Sequence, residues 1–155
     1  MILKGIDREQ WRSVAAYVDT LLLPIAPVKL VHKELHVDVS APIDELASDL
    51  EEKLTGRLLL LPGISYIGQN QEVFKSYINE IIKEMVNSGF TYLIMLADRT
   101  QTTILAEVQE AFAEQTGLNI MIHTVESSER EPEAGLERTK EQLYQKVLEM
   151  WQNHS

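Results

Sequence analysis

Three apolar runs in this chain each stop abruptly at polar or turn-forming residues. Leu58-Leu59-Leu60-Leu61 ends at Pro62-Gly63, Tyr92-Leu93-Ile94-Met95-Leu96-Ala97 at Asp98-Arg99, and Leu118-Asn119-Ile120-Met121-Ile122 at His123-Thr124. Stretches with helical periodicity separate them. Short, nearly continuous apolar runs suit strands covered on both sides, and such strands belong to parallel sheets flanked by helices. The repeated strand–helix order therefore predicts an α/β fold, a three-layer αβα sandwich around a mostly parallel sheet of about four main strands, with right-handed crossovers placing helices on both faces. The pattern leaves strand order open.

The connecting segments fill in the elements. Asp7 can cap a helix over Asp7–Asp19, with Gln10 three residues later and Trp11, Val14, Ala15 and Val18 on one side. A strand is expected at Thr20–Ile25, where Pro24 and Pro27 imply a sheet edge or a strand end. Leu35, Val37 and Val39 alternate with His36 and Asp38, a half-exposed strand pattern within Val28–Val39. Pro42 suits the first turn of a helix running to Leu54, ended by Thr55-Gly56. Arg57–Leu61 reads as a central strand because of its four leucines. A helix follows over Gln71–Asn87, with Val73, Phe74, Tyr77, Ile78, Ile81, Ile82, Met85 and Val86 as a broad buried face. Another spans Thr102–Thr116 through Ile104, Leu105, Val108, Ala111 and Phe112. A charged loop at 126–133 precedes a last helix from Pro132 to Trp151, whose Leu136, Leu143, Tyr144, Val147, Met150 and Trp151 form a stripe that covers the sheet or meets a second copy.

Composition limits the functional classes. At 155 residues, 45% hydrophobic and 25% charged, the chain reads as one α/β domain over 1–155 with a substantial core. Its 24 acidic against 14 basic residues leave a net charge of −10, which argues against nucleic acid as a partner. Without cysteine there is no thiolate nucleophile and no Cys-ligated zinc or iron–sulfur cluster. Asp7, Arg8, Glu9, Gln10 and Arg12 interrupt the N-terminus before a signal-like apolar core forms, and no run approaches the roughly 20 apolar residues of a membrane span. A cytoplasmic location without membrane insertion is expected.

Two resemblances are carried by specific segments. Tyr17-Val18-Asp19-Thr20-Leu21-Leu22-Leu23-Pro24, together with Glu51-Glu52-Lys53-Leu54-Thr55-Gly56-Arg57-Leu58-Leu59-Leu60-Leu61-Pro62, resembles the YpiF-like family of uncharacterised Bacillus-type proteins. That resemblance implies no reaction, cofactor or catalytic residue. Leu61-Pro62-Gly63-Ile64-Ser65 and Gly89-Phe90-Thr91-Tyr92-Leu93-Ile94-Met95-Leu96 are similar to creatininase-like amidohydrolases, where a strand ending in Pro-Gly or Pro-Val precedes a polar loop, a long helix, Gly-Phe and another strand. Where that family carries its metal-binding glutamate and an Asn-Gly-His-Gly-Gly segment, this chain has Ser65-Tyr66-Ile67-Gly68-Gln69 and Ala97-Asp98-Arg99-Thr100-Gln101. The similarity thus implies shared topology without the metal chemistry.

In an open α/β sheet, ligands settle beyond the carboxyl ends of the strands, where helix N-termini point toward anions. Ser65, Tyr66, Asp98, Arg99, Thr100, Gln101, His123 and Thr124 fall on that side. Arg99 and Thr100, beside the start of the next helix, are candidates to hold an anionic group, with Ser65 or Tyr66 on the rim. The structural reading of the same residues has Asp98 capping a turn, Arg99 paired with Asp98 or a surface carboxylate, and Thr100 capping the helix. Asp19 reads as a cap or backbone acceptor, or as a proton-accepting carboxylate. Ser65, His123 and Asp98 do not sit in a nucleophile-elbow context. His32 and His36 lack any His-Glu-x-x-His motif, so no metal site and no cofactor are expected.

The sequence therefore points to a non-enzymatic interaction or regulatory domain with a protein partner or a homodimer. Its alternative is a small-molecule anion-binding domain or small enzyme using the crevice at Asp98–Gln101. The fold reading places Leu59, Leu61, Leu93, Met95, Ile120 and Ile122 in the core. Leu93→Asp is expected to abolish the cooperative urea transition of the parent, since a carboxylate in an apolar core has no compensating partner; equal midpoints for variant and parent would show that this strand is misplaced.

Overall fold

The computed structural model describes residues 1–2, 6–112, 117–126 and 132–153, the side chains of 132–134 excepted. In chain order the elements are α1 (Arg8–Val14), β1 (Thr20–Pro24), β2 (Lys29–Val31), β3 (Glu34–His36), α2 (Ser40–Lys53), β4 (Leu58–Leu60), α3 (Gln71–Val86), β5 (Tyr92–Ala97), α4 (Arg99–Ala111), β6 (Asn119–Thr124) and α5 (Pro132–Asn153). The main sheet is parallel, in the order β4-β1-β5-β6. From β1 the chain moves outward to β4, then crosses back over β1 to build β5 and β6 on the other side. That reversal lies between β1 and β5, and it opens a crevice beyond their carboxyl ends.

Alternating side chains divide the core into two layers, which makes the molecule a three-layer α/β sandwich. Leu21, Leu23, Leu59, Leu93 and Met95 face Phe74, Ile78 and Ile82 of α3 and Leu105 and Val108 of α4, with Trp11 and Val14 of α1 at the margin. Leu22, Leu58, Tyr92, Ile94 and Leu96 face Ile43, Leu46 and Leu50 of α2 and Leu143, Val147 and Trp151 of α5. Most of these leucines and isoleucines are wholly buried, and each such side chain contributes about 1.5–3 kcal/mol relative to exposure. Of the anticipated core, Leu59, Leu93 and Met95 are buried, while Leu61, Ile120 and Ile122 are partly buried against the first layer.

Several elements depart from the sequence reading for identifiable reasons. Of the two places that Pro24 allowed, a sheet edge or a strand end, the structure has the second: β1 is an inner strand with Pro24 at its last position. β4 is the outer strand of the sheet. Its four-leucine run does not require a central position, because residues 1–2 cover the open edge: Met1 accepts from the Leu60 amide at 2.7 Å and Ile2 bridges Leu60 in parallel. The first helix is shorter than Asp7–Asp19, passing into a 3₁₀ turn at Ala15–Tyr17, though Asp7 and Gln10 form the expected capping box. Val28–Val39 is an antiparallel hairpin, Leu30 opposite Leu35, instead of one strand. His32 and Lys33 turn it with φ of +51° and +64°, the geometry of a two-residue I′ turn without the usual Asn-Gly signal. Val73 and Tyr77 lie on the solvent side of α3, and Ala111 is exposed on α4. The predicted helix end at 113–116 and most of the charged loop at 126–133 lie outside the described residues.

At the amino ends of the strands a polar circuit holds β1, β4 and α5 together. Asp19 takes Arg57 Nε and Nη2, each at 3.0 Å, in a forked ion pair, so it is neither a helix cap nor a free proton acceptor. The Arg57 guanidinium lies 3.8 Å from the centre of the Trp151 ring. Trp151 Nε1 donates to Thr20 Oγ1 at 3.0 Å, and that hydroxyl donates to Asp19 at 2.8 Å. Thr20 is fully buried, so its partners replace water. Trp151→Phe keeps the apolar body but removes the N–H donor and weakens the stacking. A loss of about 1–2 kcal/mol is expected from the urea midpoint; an unchanged midpoint would show that the circuit does not anchor α5.

Candidate functional site

Beyond Pro24 the chain continues alongside the loop that follows β4: Ala26 donates to the Ile64 carbonyl and Val28 to the Ser65 carbonyl, both at 2.9 Å. This directs the β2–β3 hairpin away from the sheet, leaving a cleft between it, the β4–α3 loop and the first turns of α3 and α4. The cleft measures about 670 Å³. Lys29–Val31 and His36 line one wall, Ile67–Gln71 and Phe74 another, and Asp98, Thr100, Gln101 and Ile104 the third, with Tyr66 on the rim. Tyr66 is 79% exposed and Leu30 67%, an unusual amount of bare apolar surface at one place. A smaller hollow of about 340 Å³ adjoins it through Asp38, Val39 and Asp98 and is bounded by Arg99 and Glu126.

The polar candidates are divided between these places and their own structural partners. α4 begins at Arg99, so Arg99, Thr100 and Gln101 form its first turn instead of a preceding loop. Asp98 is the cap, accepting from the Gln101 amide at 3.3 Å, and Thr100 is not. Of the two partners expected for Arg99, Asp98 or a surface carboxylate, the structure has the second: Arg99 pairs with Glu126 on the rim of the smaller hollow. Asn70 caps α3 by accepting from the amides of Glu72 and Val73 at 3.0 and 3.2 Å. Both helix N-termini at the crevice thus carry acceptors from their own chain. Ser65 meets Val28 through its main chain and does not line the cleft. Gln101 Oε1 is buried with no hydrogen-bond partner among the described residues.

His123 lies elsewhere. It pairs in register with Leu96 and shares that residue's face, the one covered by α5, where Nδ1 stands 3.2 Å from Lys146 Nζ. It is 4% exposed, and Nε2 has no partner among the described residues. Asp98 and His123 are therefore committed to different surroundings, and no Ser65–His123–Asp98 relay is assembled. His32 occupies the hairpin turn and His36 lies on β3, 3.7 Å from Glu34. Among the described residues no three His, Asp or Glu side chains are grouped to hold a metal ion. None of the described helices is long and apolar enough to cross a membrane.

What stands here is a parallel α/β sandwich with an apolar cleft at its strand reversal, a class used by many binding proteins and enzymes. Within that class, the chain belongs to the family described as protein of unknown function DUF2487, whose model matches residues 9–151. No curated protein matches the sequence. Among solved structures, a tryptophan-to-phenylalanine creatininase variant is similar with a TM-score of 0.61 at 11% identity, over 79% of this chain and 58% of that one. A glutamate-to-glutamine creatininase variant complexed with creatine gives a TM-score of 0.60 at 11% identity, over 79% and 57%. Creatinine amidohydrolase itself gives 0.58 at 13%, also over 79% and 57%. The chain thus spans somewhat over half the length of these structures, and at such identity the likeness is one of fold. One of the similar creatininase structures is of Zn-Zn type. The donor set here does not fit a zinc pair, with Asp98 spent as a cap and His123 enclosed beneath α5.

The cleft walls contributed by the hairpin and by Ile67–Gln71 were not singled out in the sequence. The only signal was an excess of apolar residues, Leu30, Val31, Leu35, Val37 and Val39, in a segment with no helix to cover them.

Burial and the neighbouring Lys146 cation lower the His123 pKa from 6.5 to about 4. Between those values the unfolded chain binds this proton and the folded chain does not. The histidine's contribution is therefore intact above about pH 6.5 and is lost progressively as pH falls toward 4. His123→Leu is expected to flatten the fall in urea midpoint between about pH 7 and about pH 5; an identical fall in parent and variant would assign the acid sensitivity to other groups.

Proposed function

We propose that this chain is a non-enzymatic interaction or regulatory domain whose working surface is the apolar cleft at the carboxyl ends of β1 and β5. The observation that carries the reading is the state of the polar groups around it. Asp98 and Asn70 cap helices and Arg99 is paired with Glu126, while Leu30, Val31, Tyr66, Phe74 and Ile104 present apolar surface to the cleft. A hydrolase needs an activated nucleophile or water and donors aimed at developing charge. A binding cleft needs concave apolar walls and a few oriented polar groups, of which Gln101 supplies one.

Anion capture is less well supported. The N-terminus of α4, to which Arg99 and the backbone amides were assigned, already receives a carboxylate, and the Arg99 side chain is 80% exposed beside Glu126. The same proposal takes 1–155 as one α/β domain in the cytoplasm. It also takes the family as the YpiF-like one, on the strength of Tyr17–Pro24 and Glu51–Pro62.

Two measurements test the reading. The protein supplied with zinc or manganese is expected to show no hydrolysis of creatinine or of simple amides above buffer. A neutral apolar fluorophore, phenylnaphthylamine, is expected to bind saturably, with roughly tenfold weaker binding in Val31→Asp, a half-exposed wall position where the change leaves the core untouched. Metal-dependent turnover lost in Asp98→Asn would overturn the reading, as would probe binding indifferent to Val31→Asp.

A further inference from the structure

The β2–β3 hairpin is anomalous on physical grounds. All six of its strand residues are exposed, yet a lone two-stranded hairpin is marginal in water. β2 faces the cleft through Lys29, Leu30 and Val31, whereas β3 contributes only His36 to it. The outer edge of β3 pairs with no strand among the described residues. Leu30 and Leu35, opposite one another at 67% and 62% exposure, make an apolar stripe on one face.

Main-chain geometry then says what this edge offers. A two-residue turn makes the flanking pair, Val31 and Glu34, the one that exchanges both hydrogen bonds. The next pair is the non-bonded kind, so Leu35 directs its N–H and carbonyl outward from β3. Glu34 and His36 flank it on the opposite face from its side chain.

We propose that β3 pairs with β3 of a second copy of this chain, antiparallel about a twofold axis at Leu35, to give a four-stranded sheet shared by two molecules. In that register the two Leu35 residues exchange both main-chain hydrogen bonds. Each Glu34 stands opposite His36 of the second copy, an acid facing a cation-capable ring in both halves of the interface. The leucines line up across one face as Leu30, Leu35, Leu35 and Leu30. Charge favours this edge over the remaining surface. Lys29 and Lys33 balance Glu34 and Asp38, so the hairpin is neutral with its histidines uncharged, while the chain as a whole carries −10 and repels its own copies elsewhere. α5, the other sequence-derived candidate for self-association, spends Leu143, Val147 and Trp151 on the core. The inference does not depend on what occupies the cleft.

The test uses the full chain. Sedimentation over about 1 µM to 1 mM is expected to show a reversible monomer–dimer equilibrium. Leu35→Lys is expected to shift it to monomer throughout, while the urea midpoint at about 1 µM, where the parent is monomeric as well, stays unchanged, since Leu35 is outside the core. Because the chain has no cysteine, Leu35→Cys carries a single thiol. Across the proposed pair the Cα atoms are about 5.5 Å apart, so a short bismaleimide is expected to join two copies in high yield. Lys29→Cys, on the strand remote from the axis, is expected to give little product. A parent that stays monomeric, a dimer that survives Leu35→Lys, or equal crosslinking at both positions would overturn the proposal.

Discussion

β1 and β5 lie side by side with every residue of both strands buried, and nearly everything else follows from keeping those eleven residues out of water. Parallel pairing satisfies the main chain between them but forces each connection to cross from one end of the sheet to the other. Those crossings bring α2 to one face and α3 and α4 to the other, and the terminal helices complete the layers, α5 beside α2 and α1 beside α3 and α4. Because β4 lies outside β1 and β6 outside β5, the connections diverge at this pair, and the carboxyl ends of the two most buried strands become the most open part of the molecule. Hydrophobic packing and the position of the cleft are one constraint seen from two sides.

The opposite end of the sheet is closed by a different kind of interaction. Arg57 satisfies Asp19 through a fork of hydrogen bonds and stands over the Trp151 ring, so one cation joins a strand start to the last helix. A lysine at position 57 would supply charge without the fork. Rigid closure at the amino ends and open apolar walls at the carboxyl ends give the molecule its polarity.

How much could be read from the sequence depended on whether a residue's partners were local. Tyr92–Ala97 was legible to the residue because its apolar run and its stop at Asp98 are both in the sequence. The start of α3 at Gln71 was legible too, whereas its cap, Asn70, was not singled out. The exchange of β1 and β4 between centre and edge was not legible, because it depends on residues 1–2 covering one flank of Leu58–Leu60. The hairpin was hidden by its turn: His32 and Lys33 adopt left-handed backbone that their identities do not announce. At the site, Asp98 was visible as a cap, but the partner of Arg99 is 27 residues away and His123 is defined by a lysine on α5. Side chains whose role is set by distant elements give no periodic signal.

Asp98 places a carboxylate at the α4 end of a cleft whose walls also carry Lys29 and Asp38. In α/β folds that bind phosphate, the anion sits at the amides of a helix start, and at the start of α4 the Asp98 carboxylate stands there instead. An incoming phosphate would meet a charge of its own sign at the only end of α4 that attracts it. Serine or glycine at this position would leave the oriented amides in place and remove the carboxylate charge that stands before them.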